Sequence, residues 1–377
     1  MNVIFTCGGT GGHINPAIAV ANMMKERHPD CNILFIGAKG HMEEELVPKA
    51  GYRLECLPGS GMSRGKNFAA LKKNVKAVKC VVDAVSECKR IIKDFKPDVI
   101  IGTGGYASFP ALYAGSKLKV PTCVHEANAV PGLTTKLAAR VADRVLVCFE
   151  ESRKYYKNPE KIEVVGMPIR REFWATKREA ARRELGIGEK PLLVSTFGSQ
   201  GAKAMNEMTA ELFAIEKANG FPFRHIHAVG SFGWGWMPEL VKSKGVDLEN
   251  TPDIEMKEYI YNMPTVLAAA DVVIGRSGSG TCNEIAATGT PCILIPSPNV
   301  TNNHQEKNAR VLSENGGAEL LLEKDCTAQK VYEMVTSMLA DSEKMRAMKT
   351  SLHKIAVLDS TERICKILEQ LAAQKRN

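Results

Sequence analysis

Val3-Ile4-Phe5-Thr6-Cys7-Gly8-Gly9-Thr10-Gly11-Gly12-His13 runs from an apolar strand into a glycine turn, and the stretch behind it, with Ile18, Val20, Ala21 and Met24, reads as a helix. Glycine lets the chain turn tightly and leaves backbone N–H groups uncovered, and a following helix adds the positive end of its dipole. The expected product is a cradle the size of a diphosphate. The same arrangement recurs at Gly102-Thr103-Gly104-Gly105-Tyr106 and at Gly198-Ser199-Gln200-Gly201. A single loop of this kind serves equally well to pack a helix on a strand. Three of them, each after an apolar strand and spread over both halves of the chain, favour a ligand.

Working outward, apolar runs at 2–7, 32–37, 54–57, 98–102, 121–125, 143–148 and 162–165 alternate with helical stretches. After a break at Gly166-Met167-Pro168 they resume at 192–197, 224–229, 254–256, 271–275, 291–295 and 318–322. Strands without polar alternation, separated by helices, indicate parallel sheets of βαβ units. The expected fold is α/β: two doubly wound domains facing a cleft, 1–166 and 167–359, with a last helix near 360–377 returning to the first. Ligands of such sheets bind beyond the carboxyl ends of the strands, where the glycines are.

Composition narrows the function. Of 377 residues, 44% are hydrophobic and 24% charged, which excludes a disordered or fibrous chain. No apolar run reaches the roughly 18–20 residues of a membrane span, and the first residues lack the basic lead of a secretory signal. Eleven cysteines without a Cys-x-x-Cys pair, among them Cys7, Cys123, Cys148 and Cys292 in apolar runs, read as buried thiols of a reducing compartment. A dinucleotide fingerprint fails because Ile14 stands where the third glycine belongs and the second strand ends Gly37-Ala38-Lys39 without an acid. A Walker loop is missing. No Asp-x-Asp offers carboxylates to a divalent cation, and His225 and His227 read as a structural pair, so neither a metal nor a cofactor is expected.

A further dense signal is Gly275-Arg276-Ser277-Gly278-Ser279-Gly280-Thr281-Cys282-Asn283-Glu284, between the strand Val272-Val273-Ile274 and the next helix. Its N–H groups suit phosphate. Glu284, one turn into the helix, suits two ribose hydroxyls, although a first-turn acid also answers the helix dipole alone.

Together with Ile14-Asn15-Pro16, His125-Glu126-Ala127-Asn128, Ala202, Ile285-Ala286-Ala287 and Asn303-His304-Gln305-Glu306-Lys307-Asn308-Ala309, these motifs resemble the MurG family, in order along the chain to about residue 310. That resemblance implies two facing Rossmann-like domains, the GT-B glycosyltransferase arrangement. It implies transfer of N-acetylglucosamine from UDP-N-acetylglucosamine, with inversion, to the 4-hydroxyl of undecaprenyl-diphosphate-linked muramyl-pentapeptide, converting lipid I to lipid II of peptidoglycan. By the same resemblance Thr10, Gly11 and Gly12 lie near the transferred sugar and Asn128 and Gln305 contact it. Arg170 and Ser199 meet the diphosphate, Ile260 the uracil through its backbone, and Glu284 the ribose. Ser279, Gly280, Thr281 and Asn283 complete the donor site, and Gly104 and Gly105 are candidates for the acceptor diphosphate. The chain departs from the family pattern at Phe197, Met167 and Ala127, which leaves Ser199, Arg170 and Asn128 in place.

An inverting transfer needs a base for the acceptor hydroxyl. His13, at the end of the first glycine loop, is the first candidate, followed by Glu126 and His125. Between Arg64 and Lys96 ten Lys/Arg face three acids, and Phe68, Leu71, Val75, Val78, Val82 and Val85 form an apolar stripe at helical spacing. A polyprenyl acceptor turns this region into an expected contact with an anionic membrane surface, which puts the protein peripherally on the cytoplasmic face of the cell membrane. A cell-wall or division complex is expected among its partners, and nucleic acid is not. The nearest alternatives are another GT-B transferase with a different lipid acceptor, a UDP-N-acetylglucosamine epimerase, and a non-catalytic nucleotide sensor.

Overall fold

A computed structural model describes residues 1–58 and 68–375, with the side chains of 68–79 and 375 outside the described set. The chain divides into two units, Met1–Ile169 with Asp359–Asn377, and Arg170–Leu358. The first holds a parallel sheet of β1 (Asn2–Thr6), β2 (Asn32–Ala38), β3 (Arg53–Leu57), β4 (Val99–Gly102), β5 (Thr122–Glu126), β6 (Arg144–Val147) and β7 (Ile162–Val164). Their order is β3-β2-β1-β4-β5-β6-β7. The second holds β8 (Leu192–Thr196), β9 (Arg224–Ala228), β10 (Ile254–Lys257), β11 (Val272–Gly275), β12 (Cys292–Leu294) and β13 (Ala318–Leu320), ordered β10-β9-β8-β11-β12-β13 and again parallel.

Period-two alternation explains why these runs are apolar throughout. Val3 and Phe5 face one side of the first sheet with α1 (Gly11–Arg27), and the C-terminal helix Ser360–Lys375 covers the same face through Ile364, Cys365, Leu368 and Leu371. Ile4 and Ile100 face the other side, beneath α3 (Phe68–Phe95) and α4 (Ser108–Lys117). Phe5 stacks on Phe35 across the register at 5.2 Å, and both are fully buried, worth roughly 1.5–3 kcal/mol each.

In both sheets the strand order reverses once, between β1 and β4 and between β8 and β11. Each switch point is flanked by two glycine loops, as the rule for open sheets requires of a ligand crevice. Among the described residues no helix is long and apolar enough to cross a membrane. The segment 59–67, with Arg64 and Lys66, lies outside the described residues, as do the side chains of Lys72, Lys73, Lys76 and Lys79. In the described part of α3, Ala84, Cys88, Ile91 and Ile92 face the core. Val85 is half-buried and Val82 is 62% exposed, so this end of the apolar stripe turns away from the core.

Candidate functional site

In the first unit the glycine loop leads from β1 into α1. Its reading as a phosphate cradle needs correction at one atom. The Gly9 N–H donates to Oε2 of Glu43 at 3.0 Å, the first residue of α2 (Glu43–Lys49), and a buried carboxylate at that point opposes an anion. Glu43 is fully buried and holds the Ala38 N–H on Oε1 at 2.9 Å. It also helps burial push the Cys7 thiol up to about 12. Thr10, in extended backbone, precedes α1, which starts at Gly11, so the N–H groups of Gly11 and Gly12 lie in the first turn and precede the first helical bonds. Pro16 lacks the N–H that would bond the Gly12 carbonyl.

His13 is held from both ends. Its Nδ1 lies 2.9 Å from the Thr103 carbonyl, which can only accept, while the Thr103 hydroxyl donates to the His13 carbonyl at 2.7 Å. The neutral ring therefore carries its proton on Nδ1 and its lone pair on Nε2. Gly104 and Gly105 explain themselves partly by packing. Both have positive φ, and a Cβ would stand 2.5 Å from His13 Nδ1 at Gly104 and 2.3 Å from the Gly8 carbonyl oxygen at Gly105. The Gly104 N–H donates to Ser108 Oγ at 3.1 Å. The two loops of this switch point thus interlock under the imidazole.

Glu126 and His125, the other candidate bases, are committed to structure. Glu126 is buried and accepts from the Asn128 N–H (3.0 Å) and side-chain amide (3.2 Å) on one oxygen and from the Gly132 N–H (3.1 Å) on the other. It fixes the 127–132 loop and with it the orientation of the Asn128 amide. His125 is buried, donates from Nε2 to the Gly166 carbonyl at 2.9 Å, and is pushed below its ordinary pKa by desolvation.

In the second unit a pocket of about 180 Å³ opens at the β8/β11 switch point. It brings together Arg170, Ser199, Ile260, Thr281 and Glu284, five of the residues singled out from the sequence, with Thr196, Glu258 and Tyr259 among those that sequence reasoning missed. Thr196 and Glu258 could have been found only from strand register, since Thr196 ends β8 and Glu258 directly follows β10. Ser199 lies in the loop four residues before the helix Lys203–Ala218, and its carbonyl accepts from the Ser231 N–H at 3.2 Å. The helix start in this pocket belongs to Ser279–Thr288 instead, whose first internal bond is Cys282 N–H to Gly278 at 3.0 Å. Burial pushes the Glu284 carboxyl up to about 7 against the pull of Arg170. Glu284 makes no hydrogen bond among the described residues, and Arg170 packs its guanidinium over Phe173 at 5.4 Å.

The remaining second-unit candidates are not among its lining residues. Ser279 is buried at the helix start, where the Asn283 amide donates to its carbonyl at 2.9 Å, and Gly280 has open space beside it. Gln305 receives the Ser297 N–H on Oε1 at 2.9 Å, and its carbonyl takes the Ser277 hydroxyl at 2.8 Å. The turn ahead of it holds Asn302 and Asn303 at φ of 56° and 51°, a strained pair beside a candidate sugar contact. Arg276 bonds the Ile295 carbonyl at 3.0 Å and pairs with Glu323 at 2.5 Å, so it braces the loop. His225 and His227 are fully buried on either side of the Ser195 hydroxyl, 2.7 Å from each, with Glu216 on His225 at 2.8 Å. Among the described residues no three His, Cys, Asp or Glu side chains group as metal ligands.

Known proteins agree with this arrangement. Residues 3–147 match the glycosyltransferase family 28 N-terminal domain and residues 192–364 the glycosyltransferase family 28 C-terminal domain. A protein of Acetivibrio thermocellus named UDP-N-acetylglucosamine–N-acetylmuramyl-(pentapeptide) pyrophosphoryl-undecaprenol N-acetylglucosamine transferase is 40% identical over the whole chain and 99% of its own length. A protein of the same name from Bacillus cytotoxicus is 37% identical over 98% of the chain and 99% of its own. The crystal structure of Acinetobacter baumannii MurG superposes with a TM-score of 0.77 at 24% identity, covering 98% of this chain and 99% of that one. A Neisseria meningitidis UDP-GlcNAc 2-epimerase, at 15% identity and a TM-score of 0.65 over 98% of this chain and all of its own, shares the fold alone. With both domains matched in order and full-length relatives at 40% identity, the chain belongs to glycosyltransferase family 28 and, within it, to the MurG family.

Proposed function

We propose that the protein transfers N-acetylglucosamine from UDP-N-acetylglucosamine to the 4-hydroxyl of undecaprenyl-diphosphate-linked muramyl-pentapeptide, forming lipid II. The observation that carries this reading is the second-unit pocket, in which a half-buried carboxyl with no hydrogen bond among the described residues, an arginine and a helix start converge. A ribose offers two hydroxyl donors to Glu284, and a diphosphate offers acceptors to Arg170, Ser199 and the first-turn N–H groups. Ile260 stands at the pocket wall, where it would meet the uracil, and the family resemblance gives Gln305 and Asn128 as contacts of the sugar. No metal is required in this reading, because the charge of departing UDP falls to Arg170 and the helix start.

His13 Nε2 takes the proton of the acceptor hydroxyl as that oxygen bonds to C1 of the sugar. The bond from C1 to the UDP oxygen breaks on the opposite face, UDP leaves with the electron pair, and the imidazolium returns its proton to water. Incubation with UDP-[14C]N-acetylglucosamine and a short-chain lipid I analogue is expected to yield a labelled disaccharide. Labelled free epimer with no disaccharide would replace this reading with an epimerase.

A polyprenyl acceptor also requires a membrane contact, for which we propose the first unit near residues 64–80, on the cytoplasmic face. The exposed Val82 at the described end of the stripe supports it. Each basic residue near an anionic leaflet adds on the order of 1 kcal/mol, screened by salt. Co-sedimentation with anionic liposomes is expected to fall at high salt and again in a K72E/K73E/K76E variant. Parent-like sedimentation of that variant at low salt would assign docking to another surface. Such a position also suits membership of a cell-wall or division complex.

A further inference from the structure

Three consecutive acids, Glu43-Glu44-Glu45, open α2, and only the first turns inward: Glu43 is fully buried, while Glu44 and Glu45 are exposed. The chain makes room for it at two glycines outside α2. A Cβ on Gly8 would stand 2.6 Å from Glu43 Oε1, and one on Gly37 would stand 2.6 Å from its Cγ. Its two oxygens then take the Gly9 and Ala38 N–H groups at 3.0 and 2.9 Å. A buried carboxylate is a costly way to fill space, and an apolar side chain would do it better. What only a carboxylate does here is accept on both oxygens at once, tying the Gly9 turn, at φ +88°, to the end of β2. Four residues beyond that turn is His13, whose ring and carbonyl are pinned on the other side by Thr103.

We propose that Glu43 is a positioning residue for the transfer: it touches no substrate, fixes the turn at Gly9, and so aims the imidazole of His13. This rests on His13 being the base. Glutamine at 43 keeps the volume but turns an NH₂ group toward one of the two backbone N–H groups, so one tie is lost.

The test uses the full chain, UDP-[14C]N-acetylglucosamine and a short-chain lipid I analogue. E43Q is expected to lower kcat about tenfold, the scale of a slightly misaimed base, with the donor KM within twofold of the parent. E43D, which keeps the charge at shorter reach, recovers part of the rate. In an H13A background E43Q changes the residual rate by less than twofold, whereas a merely structural role lowers both backgrounds alike. Amide exchange at Gly9, read by NMR on the folded variant, accelerates in E43Q. The proposal is overturned by a kcat within twofold of the parent, by equal losses in both backgrounds, or by unchanged exchange at Gly9. H13A at parent rate would overturn the base assignment itself, and this proposal with it, before any change is made at position 43.

Discussion

H13A is expected to lower kcat by about a hundred- to ten-thousand-fold, the usual range for a general base, while donor affinity stays near that of the parent. In barrier height that is about 2.7–5.4 kcal/mol. The alanine variant alone is ambiguous, because the ring also packs on Gly104 and bonds the Thr103 carbonyl. H13N separates the two roles. Its amide nitrogen stands where Nδ1 does and can still donate to Thr103, but it offers no basic lone pair. If the base reading holds, H13N is as slow as H13A even though its loop is intact. If H13N works within threefold of the parent, the ring is structural and the proton goes elsewhere. Glu126 would be a poor replacement, since both its oxygens already accept backbone N–H groups.

Much of the fold was legible because strands buried on both faces leave an unmistakable trace. The runs around Val3-Ile4-Phe5 and Val272-Val273-Ile274 have no polar alternation, and glycine follows each at the sheet's switch point. The carboxyl ends of β8 and β11 also fix where a pocket opens, next to the Ser199 loop, Thr281 and Glu284, whereas Arg170 and Ile260, which line it too, were reached only through the family resemblance. Glu43 was not. Any of the three acids at the start of α2 satisfies the helix dipole, and nothing local says which one turns inward. That choice is made by Gly8 and Gly37, which lie outside α2 in sequence and leave space where a Cβ would collide. The same non-local packing hid the second function of the glycine loops. Gly105 meets the Gly8 backbone and Gly201 meets Val229, so glycine there serves close approach as much as anion binding. Glu126 shows the limit in the other direction: a carboxylate beside a candidate sugar contact reads as a base until the loop N–H groups that occupy it are seen.

E284A is expected to weaken UDP binding by about ten- to a hundred-fold with the fold intact. A hydrogen bond to a charged acceptor contributes roughly 1.5–3 kcal/mol, and two of them are partly offset because the carboxylate must be ionised near neutrality to make them. That offset has a sign. Burial pushes Glu284 up to about 7, so the protonated form favours the folded, unliganded protein, and stability is lost as pH rises from the ordinary carboxylate range through 7. Removing the carboxyl removes that loss, and unliganded E284Q should unfold at pH 8 no more readily than the parent. Binding runs the other way. The ionised form accepts both ribose hydroxyls, and one unit below its pKa only about a tenth of the sites are ionised. UDP-N-acetylglucosamine, whose own diphosphate does not titrate in this range, should therefore bind the parent about tenfold more weakly at pH 6 than at pH 8. In E284Q the affinity should be lower and flat across the same range. Calorimetry at pH 6, 7 and 8 on the parent, E284Q and E284A decides it: a parent affinity independent of pH, or an E284A protein that binds UDP as the parent does, takes Glu284 off the ribose.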